Sequence, residues 1–297
     1  MDISSADLRV LRQIAESGSF TAAAGRLGYT QSAVSRQAAA LERSAGAALF
    51  ERRADGVRLT SAGLALLRHA RTILDAVAAA ERDISGTAPR HETVRLGAVP
   101  GAGAALLPTA LARLAATDPQ LTVTTREGTT PALTRALRAG SLDLAVLTSR
   151  PPHRLSDGEA PRLHTETVED TELAVAASAT GEFAGRTAVH ADELAGAAWI
   201  ATPSSGSEPL LGVWPGLPGR PRVLHSARDW LTKLRLVAGG FGVTTVPLGL
   251  APLLPPGVCL LRVEGAPPEV RRVLTARLPG RPTPAVAAVT RALTPAG

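Results

Sequence analysis

Residues Ser19 to Glu42 read SFTAAAGRLGYTQSAVSRQAAALE, and the rest of the chain is read according to how this stretch folds. Ser19 and Thr21 are side chains that begin helices, Gly28 is one that ends them, and Thr30 caps the next helix. The spacing predicts a short helix through Leu27, a tight turn, and a third helix from Thr30 to about Ala45, stopped by Gly46. Upstream, Ser4 and Ser5 cap a helix carrying Leu8, Leu11, Ile14 and Ala15 at helical spacing, and Ser17-Gly18 ends it. Downstream, Leu49 to Leu59 reads as two extended pieces around the turn Ala54-Asp55-Gly56. Three short helices and a hairpin make a winged helix-turn-helix.

With about 100° per residue, Val34, Ala38, Leu41 and Ala45 of the third helix fall on one side and bury. Ser32, Arg36 and Arg43 lie opposite, with Ser35 and Ala39 beside them and Gln31 in the first turn. A Gln that donates and accepts suits adenine, and an Arg fork suits guanine. The helix start and its hydroxyls suit phosphate. A helix that enters a major groove does so by its N-terminal residues, where these side chains sit.

From Thr60 to Ile84 the pattern is one long helix. Leu67 and Leu74, interleaved with Ala70, Val77 and Ile84, form a heptad seam expected to pair with a second copy of the chain, the alternative being packing against its own neighbouring domain. SGTAPRH, Ser85 to His91, is a linker by composition. Beyond it strands alternate with helices in two sets, the second beginning near Glu172. That alternation predicts α/β architecture with mostly parallel sheets, in two lobes with a cleft between them.

Composition sets the bounds. Apolar residues are 45% and charged residues 20%, as in a folded globular chain, and aromatics are only 3%. The net charge of +6 suits a polyanionic partner without requiring one. Of 32 basic residues only Lys233 is a lysine. The single cysteine, Cys259, excludes an internal disulfide and any multi-cysteine metal site, and its apolar surroundings predict a buried, inert thiol. No secretion signal and no membrane-spanning run is read, which predicts a cytoplasmic chain. Neither GxSxG nor HExxH occurs, the six histidines are scattered, and GAGAAL lacks the third glycine of a dinucleotide loop. No catalytic residue, metal ligand or cofactor is assigned.

The motifs SGSFTAAAGRL, TQSAVSRQ, LE, LFER and LTSAG occur in that order, and the first 85 or so residues resemble the DNA-binding region of LysR-type transcriptional regulators. LLPTALARLAATDPQLTVTTREG, LRAGSLDLAVLT and VAGGFGVTTVP resemble the effector domain of that family. The resemblance implies a winged helix-turn-helix at 1–60, a linker helix and hinge at 61–91 that serve dimerisation, and an effector domain at 92–297. That domain is two-lobed, like type 2 periplasmic solute-binding proteins, with lobe I at 92–165 and 267–297 and lobe II at 166–266. The implied partners are double-stranded DNA, further copies of the chain in a dimer or tetramer, a small-molecule effector and RNA polymerase. Asp55 stands where the family wing often carries a second Arg, and Ala38 and Ala45 stand where it carries larger aliphatics.

The residues expected to meet DNA are Thr21, Thr30, Gln31, Ser32, Ser35 and Arg36, with Arg53 and Arg58 from the wing. Those expected to line the cleft are Pro100, Gly101, Ala102 and Gly103 at a helix start, Thr148 at a strand end, and Thr202, Ser204 and Ser205 in TPSSGS, with Thr244 or Thr245 behind them. The cleft shows no distinctive charged pair. Two other classes fit part of the sequence: a solute-binding protein whose N-terminal helices only mediate association, and an enzyme on the same two-lobed fold.

Overall fold

The computed structural model describes residues 3–53, 56–84, 92–150, 159–202, 211–217 and 220–294. Asp55, the linker 85–91, His153, Ser204 and Ser205 lie outside the described residues.

The head is built from α1 (Ser5–Ser17), α2 (Phe20–Leu27), α3 (Gln31–Ala45), β1 (Phe50–Arg53), β2 (Gly56–Leu59) and α4 (Ser61–Ile84). Ser4, Ser19 and Thr30 each cap the helix after them, accepting from a backbone N–H of its first turn. The dipeptide Leu41-Glu42 has a double use. Leu41 is buried, while Glu42 Oε1 accepts from the N–H groups of Leu49 and Phe50 at 2.8 and 3.1 Å, fixing where the wing begins. Thr60 donates to Ala48 O at 2.7 Å and accepts from Gly63 N at 3.0 Å, which starts α4 against that same segment. A side chain at Gly63 would run into the Leu49 carbonyl, so the helix approaches this closely only with glycine there.

For Leu67, Ala70 and Leu74 of the α4 seam the structure shows the alternative, packing on the same chain. Leu67, Ala70 and Leu74 do not face a second copy: they pack with Leu8, Leu11, Leu41, Leu49 and Ala139 of their own chain. Periodicity announces an apolar stripe, and the nearest apolar surface able to cover it is the head itself. Ile73 remains 46% exposed on another side of the helix.

The second region contains β3 (Thr93–Ala98), α5 (Pro100–Thr117), β4 (Thr122–Glu127), α6 (Thr130–Arg138), β5 (Leu144–Ser149), β6 (His164–Ser178), β7 (Ala188–His190), β8 (Ala198–Ala201), β9 (Arg222–Ser226), α7 (Trp230–Ala238), β10 (Thr244–Pro247), β11 (Val258–Glu264), β12 (Val270–Arg277) and α8 (Pro284–Leu293). One sheet runs β4-β3-β5-β12-β6-β11-β7, and β10 also pairs with β6. The sheet is mixed rather than mostly parallel. β3 is parallel to β4 and β5, but β12 is antiparallel to both β5 and β6. The reason is topological: the chain leaves the first lobe along β6 and returns along β12 in the opposite direction. β6 starts at His164, before the apolar run near Glu172, because its polar first half is paired by β12 rather than buried. Its second half pairs with β10 and β11. Each lobe has its own core, one around Leu96, Leu144 and Val289, the other around Val175, Trp199 and Leu261. Cys259 on β11 is half-buried rather than buried.

The head rests on the first lobe. Asp143, with its side chain 11% exposed, accepts from Arg95 Nε at 3.0 Å and from the Arg95 backbone N–H at 2.9 Å, and it pairs with Arg71 of α4. Gly140, at φ 68°, packs where any side chain would strike the Arg71 stem. Glu16 of α1 lies 3.7 Å from both Arg26 and Arg126. Burial alone would raise the pKa of Asp143. The hydrogen bonds from Arg95 and the charges of Arg95 and Arg71 outweigh it and hold the carboxyl below its usual range. The stability this group contributes is therefore present above its unfolded value of 3.8 and is lost as pH falls through the lower folded value. Asp143→Ala leaves Arg71 and Arg95 with only the more exposed Asp75 between them, and urea unfolding at pH 7 is expected to show a loss of about 1–3 kcal/mol. That loss should shrink below pH ~4.

Candidate nucleic-acid interface and ligand cleft

The third helix presents what its spacing predicts. Val34, Ala38 and Leu41 are buried, and Gln31, Ser32 and Arg36 are exposed. Ala45 is half-buried against the head core. Ser35 is half-buried and accepts from Gln31 Nε2 at 2.9 Å, so it holds the carboxamide as much as it offers itself. Thr30 Oγ1 caps Ala33 N at 3.2 Å and lies 3.1 Å from Ser32 Oγ. The first turn is thus ordered before any partner arrives. Thr21, at the start of α2, is exposed. Tyr29 in the turn between the helices is 52% exposed, a ring beside the polar face that no spacing signal marks.

The wing differs in detail. Phe50 and Arg52 point to one side, and the Arg52 guanidinium sits 5.2 Å over the Phe20 ring. Arg53 donates to Glu51 at 2.9 Å on its own strand. Arg58 lies 3.4 Å from Glu159, outside the head altogether. Both arginines expected to meet phosphate therefore already have carboxylate partners. Arg58 in particular serves the contact between head and first lobe, because strand alternation turns it toward that side.

The cleft lies where the lobes meet. Its floor is an alternating set on β6 (Glu169, Thr171, Leu173) facing Val273 and Arg271 of β12, which share the same face by register. One wall is the start of α5, the other is Thr202, Gly212 and α7, and the cavity measures about 190 Å³. Pro100, Gly101, Ala102, Thr148, Thr202 and Thr245 line it as expected. Gly103 does not. It is packed on β3 near Ala98, and its N–H donates to Val99 O at 2.8 Å, because α5 begins at Pro100 and Gly103 is already inside the helix. Thr244 is buried and donates to Ile200 O at 2.8 Å, a structural bond.

The cleft carries a charged side chain that sequence reading did not place there. Lys233 of α7, the only lysine, is 4% exposed and lines the cavity. Its Nζ donates to Thr202 Oγ1 at 2.8 Å and lies 5.4 Å from the Trp230 ring centroid. Burial pushes its pKa down to about 8. Arg271, paired with Glu269 at 3.4 Å, is held below its usual value first by burial and then by the charge of Arg150. Among the described residues no helix is long and apolar enough to cross a membrane.

A family model described as bacterial regulatory helix-turn-helix protein, lysR family, matches residues 5–64, and one described as LysR substrate binding domain matches residues 87–296. A probable hydrogen peroxide-inducible genes activator of Mycobacterium avium is 31% identical over 252 residues, covering 84% of this chain and 79% of that protein. The HTH-type transcriptional regulator TcbR of Pseudomonas sp. (strain P51) is 30% identical over 267 residues, covering 87% of each. Among solved structures, a full-length OxyR variant from Pseudomonas aeruginosa matches with a TM-score of 0.59 at 21% identity, over 99% of this chain and 95% of that one. Full-length CbnR complexed with its target DNA matches with a TM-score of 0.56 at 23% identity, over 98% and 99%. At those identities the two structures speak for the fold.

Lys233 carries a direct stability prediction. Its native pKa near 8 is below the usual 10.5, so the unfolded chain holds the proton more tightly and the buried ammonium costs stability at neutral pH. Lys233→Met is expected to stabilise the ligand-free protein at pH 7 by up to about 3 kcal/mol in urea unfolding. The gain should fade between pH 8 and 10.5, where the native amine loses its proton. A destabilised variant at pH 7 would contradict the unpaired burial.

Proposed function

The chain belongs to the LysR family of bacterial helix-turn-helix regulators, and on that premise we propose how its own residues carry out ligand-responsive, sequence-specific control of transcription. α3 enters the major groove by its N-terminal end. Arg36 reads guanine with its fork, Gln31 reads adenine, and Ser35 orients Gln31. Thr21, Thr30, Ser32 and the first amides of α3 hold phosphate. Arg53 and Arg58 reach the backbone only by exchanging their carboxylate partners for phosphate, so the wing contributes less than the helix. The observation that carries this reading is the exposed polar face of Gln31, Ser32 and Arg36 on a helix whose opposite side is buried.

The assembly is a homodimer or tetramer that places its heads in successive grooves of an inverted repeat. With Leu67, Ala70 and Leu74 already covered, the side of α4 that carries Ile73 is the one left for a second copy. A small molecule in the cleft touches both lobes, changes their relative placement and so alters subunit spacing, DNA bending or contact with RNA polymerase. Affinity for ligand and for operator then shift reciprocally. The site works in the cytoplasm by binding and without turnover: its lining offers Lys233, Arg271, Glu169 and hydroxyls, with no cysteine or histidine beside them among the described residues. A peroxide response through an internal disulfide needs two thiols, and this chain has Cys259 alone.

The test begins by selecting a duplex from random DNA, then titrating it against a scrambled one at fixed salt. The selected duplex is expected to bind at least about a thousandfold tighter. Arg36→Ala and Gln31→Ala should each remove about 1–3 kcal/mol of that discrimination, and Arg53→Ala should weaken both duplexes alike. Equal affinity for the two duplexes, or unchanged discrimination in Arg36→Ala, would refute the assignment.

A further inference from the structure

Of the 32 lysines and arginines in the chain the one lysine is Lys233, and it lines the cavity between the lobes. The two basic side chains differ in what they can do. A guanidinium stays charged inside a protein, whereas a buried amine gives up its proton and attacks carbonyl carbon. Lysine is thus kept at a position where arginine could not do that chemistry.

The surroundings of Lys233 suit an amine rather than an ammonium. Its side chain is 4% exposed, and among the described residues no carboxylate pairs with it. Nζ donates to Thr202 Oγ1 at 2.8 Å and lies 5.4 Å from the Trp230 ring centroid. Asp229 is engaged as the cap of α7, accepting from Thr232 N at 2.7 Å, and Arg271 pairs with Glu269. Glu169 lines the same cavity from β6 without an ion pair to Lys233. Burial alone therefore acts on the amine and pushes its pKa down to about 8. At pH 7.5 about a quarter of such side chains are neutral, against about one in a thousand for an ordinary lysine. A neutral amine that donates one proton to Thr202 still has a second proton and its lone pair. The space before it is walled by Leu173, Val213, Leu250 and Val273 and measures about 190 Å³, too small for a larger ligand.

We propose that Lys233 is a covalent sensing residue, condensing reversibly with a small apolar aldehyde to form a Schiff base inside the cavity. This deepens the reading of the cleft as the regulatory site and rests on it. The Nζ lone pair forms a bond to the aldehyde carbon, and the carbonyl π pair moves to oxygen. That oxygen takes one proton from Nζ, giving a carbinolamine. The C–O bond then breaks, the C=N bond forms, and the oxygen leaves with the second amine proton as water. Thr202 Oγ1, at 2.8 Å, relays these protons from nitrogen to oxygen. Returning water reverses the sequence, so the adduct follows the aldehyde concentration. The apolar remainder rests on Leu173 and Val273 of the strands that carry the cavity floor and on Trp230 of α7, so one bond at Lys233 joins surfaces of both lobes.

The lone lysine makes the test specific, because the only other amine of the chain is the α-amino group, which also titrates near 8 in water. Full-length protein at pH 7.5 is treated with butanal, 2-methylpropanal or benzaldehyde at up to about 10 mM, to capture weak binding. Cyanoborohydride traps the imine by delivering hydride to its carbon, with a proton from water, and the secondary amine is located by peptide mass mapping. At least one aldehyde should label Lys233 about tenfold faster than the α-amino group, at a rate that saturates with aldehyde concentration. The preference should vanish in 8 M urea, where the cavity is lost, and Thr202→Val should slow labelling several-fold. The proposal is overturned if the α-amino group reacts as fast as Lys233, if the rate rises linearly without saturation, if urea leaves the preference unchanged, or if Thr202→Val labels as wild type does. No DNA is present, so failure here leaves the gene-regulator reading intact. An adduct at Lys233 that leaves operator affinity unchanged sinks the coupling and leaves this assignment standing.

Discussion

The shared helix α4 is the constraint on which the rest of the structure depends. Its apolar stripe closes the head core through Leu67, Ala70 and Leu74, and Arg71 on the same helix meets Asp143 of the first lobe. Three short helices and a two-stranded wing bury little surface by themselves, and a unit of about 60 residues is marginal. Borrowing one long helix solves that problem and at the same time fixes where the head sits. Asp143 is the pivot. It satisfies the backbone and side chain of Arg95 in β3 while pairing with Arg71. The position of the recognition helix is therefore set by the first lobe of its own chain.

The second constraint is β6. Its first half belongs to one lobe by pairing with β12, its second half to the other by pairing with β10 and β11. The cleft opens where this strand crosses, so its lining is drawn from both lobes. A ligand there acts at the joint between a lobe that carries the head and one that does not. The energy available for coupling is the difference in ligand affinity between the two lobe placements.

Much of the head is legible in the sequence because its signals are local. Ser4, Ser19 and Thr30 as caps, Gly28 and Gly46 as stops, and the Val34–Ala38–Leu41 stripe require no knowledge of distant chain. The covering of α4 is not local: a heptad pattern says that a stripe exists, not which surface buries it. The first half of β6 is hidden for the same reason, since its polar residues are paired by β12, about a hundred positions away. At the cleft, Pro100 at the first position of α5 is the available sign that the helix begins there and that Gly103 is interior. Lys233 has one sign, its solitude among arginines. Trp230, three positions earlier on α7, is a local neighbour, but the burial also depends on Thr202 arriving from a separate segment, which no spacing rule reveals.

The most direct test is native-state hydrogen exchange with increasing denaturant, followed in peptides from α4 and β5. If the head is held rigidly on the first lobe, Leu67–Leu74 and Leu144–Leu147 lose protection together, at one denaturant concentration. Exchange of the α4 amides at much lower denaturant, with β5 still protected, would mean that the head is merely tethered, and that no rigid route joins the cleft to the recognition helix.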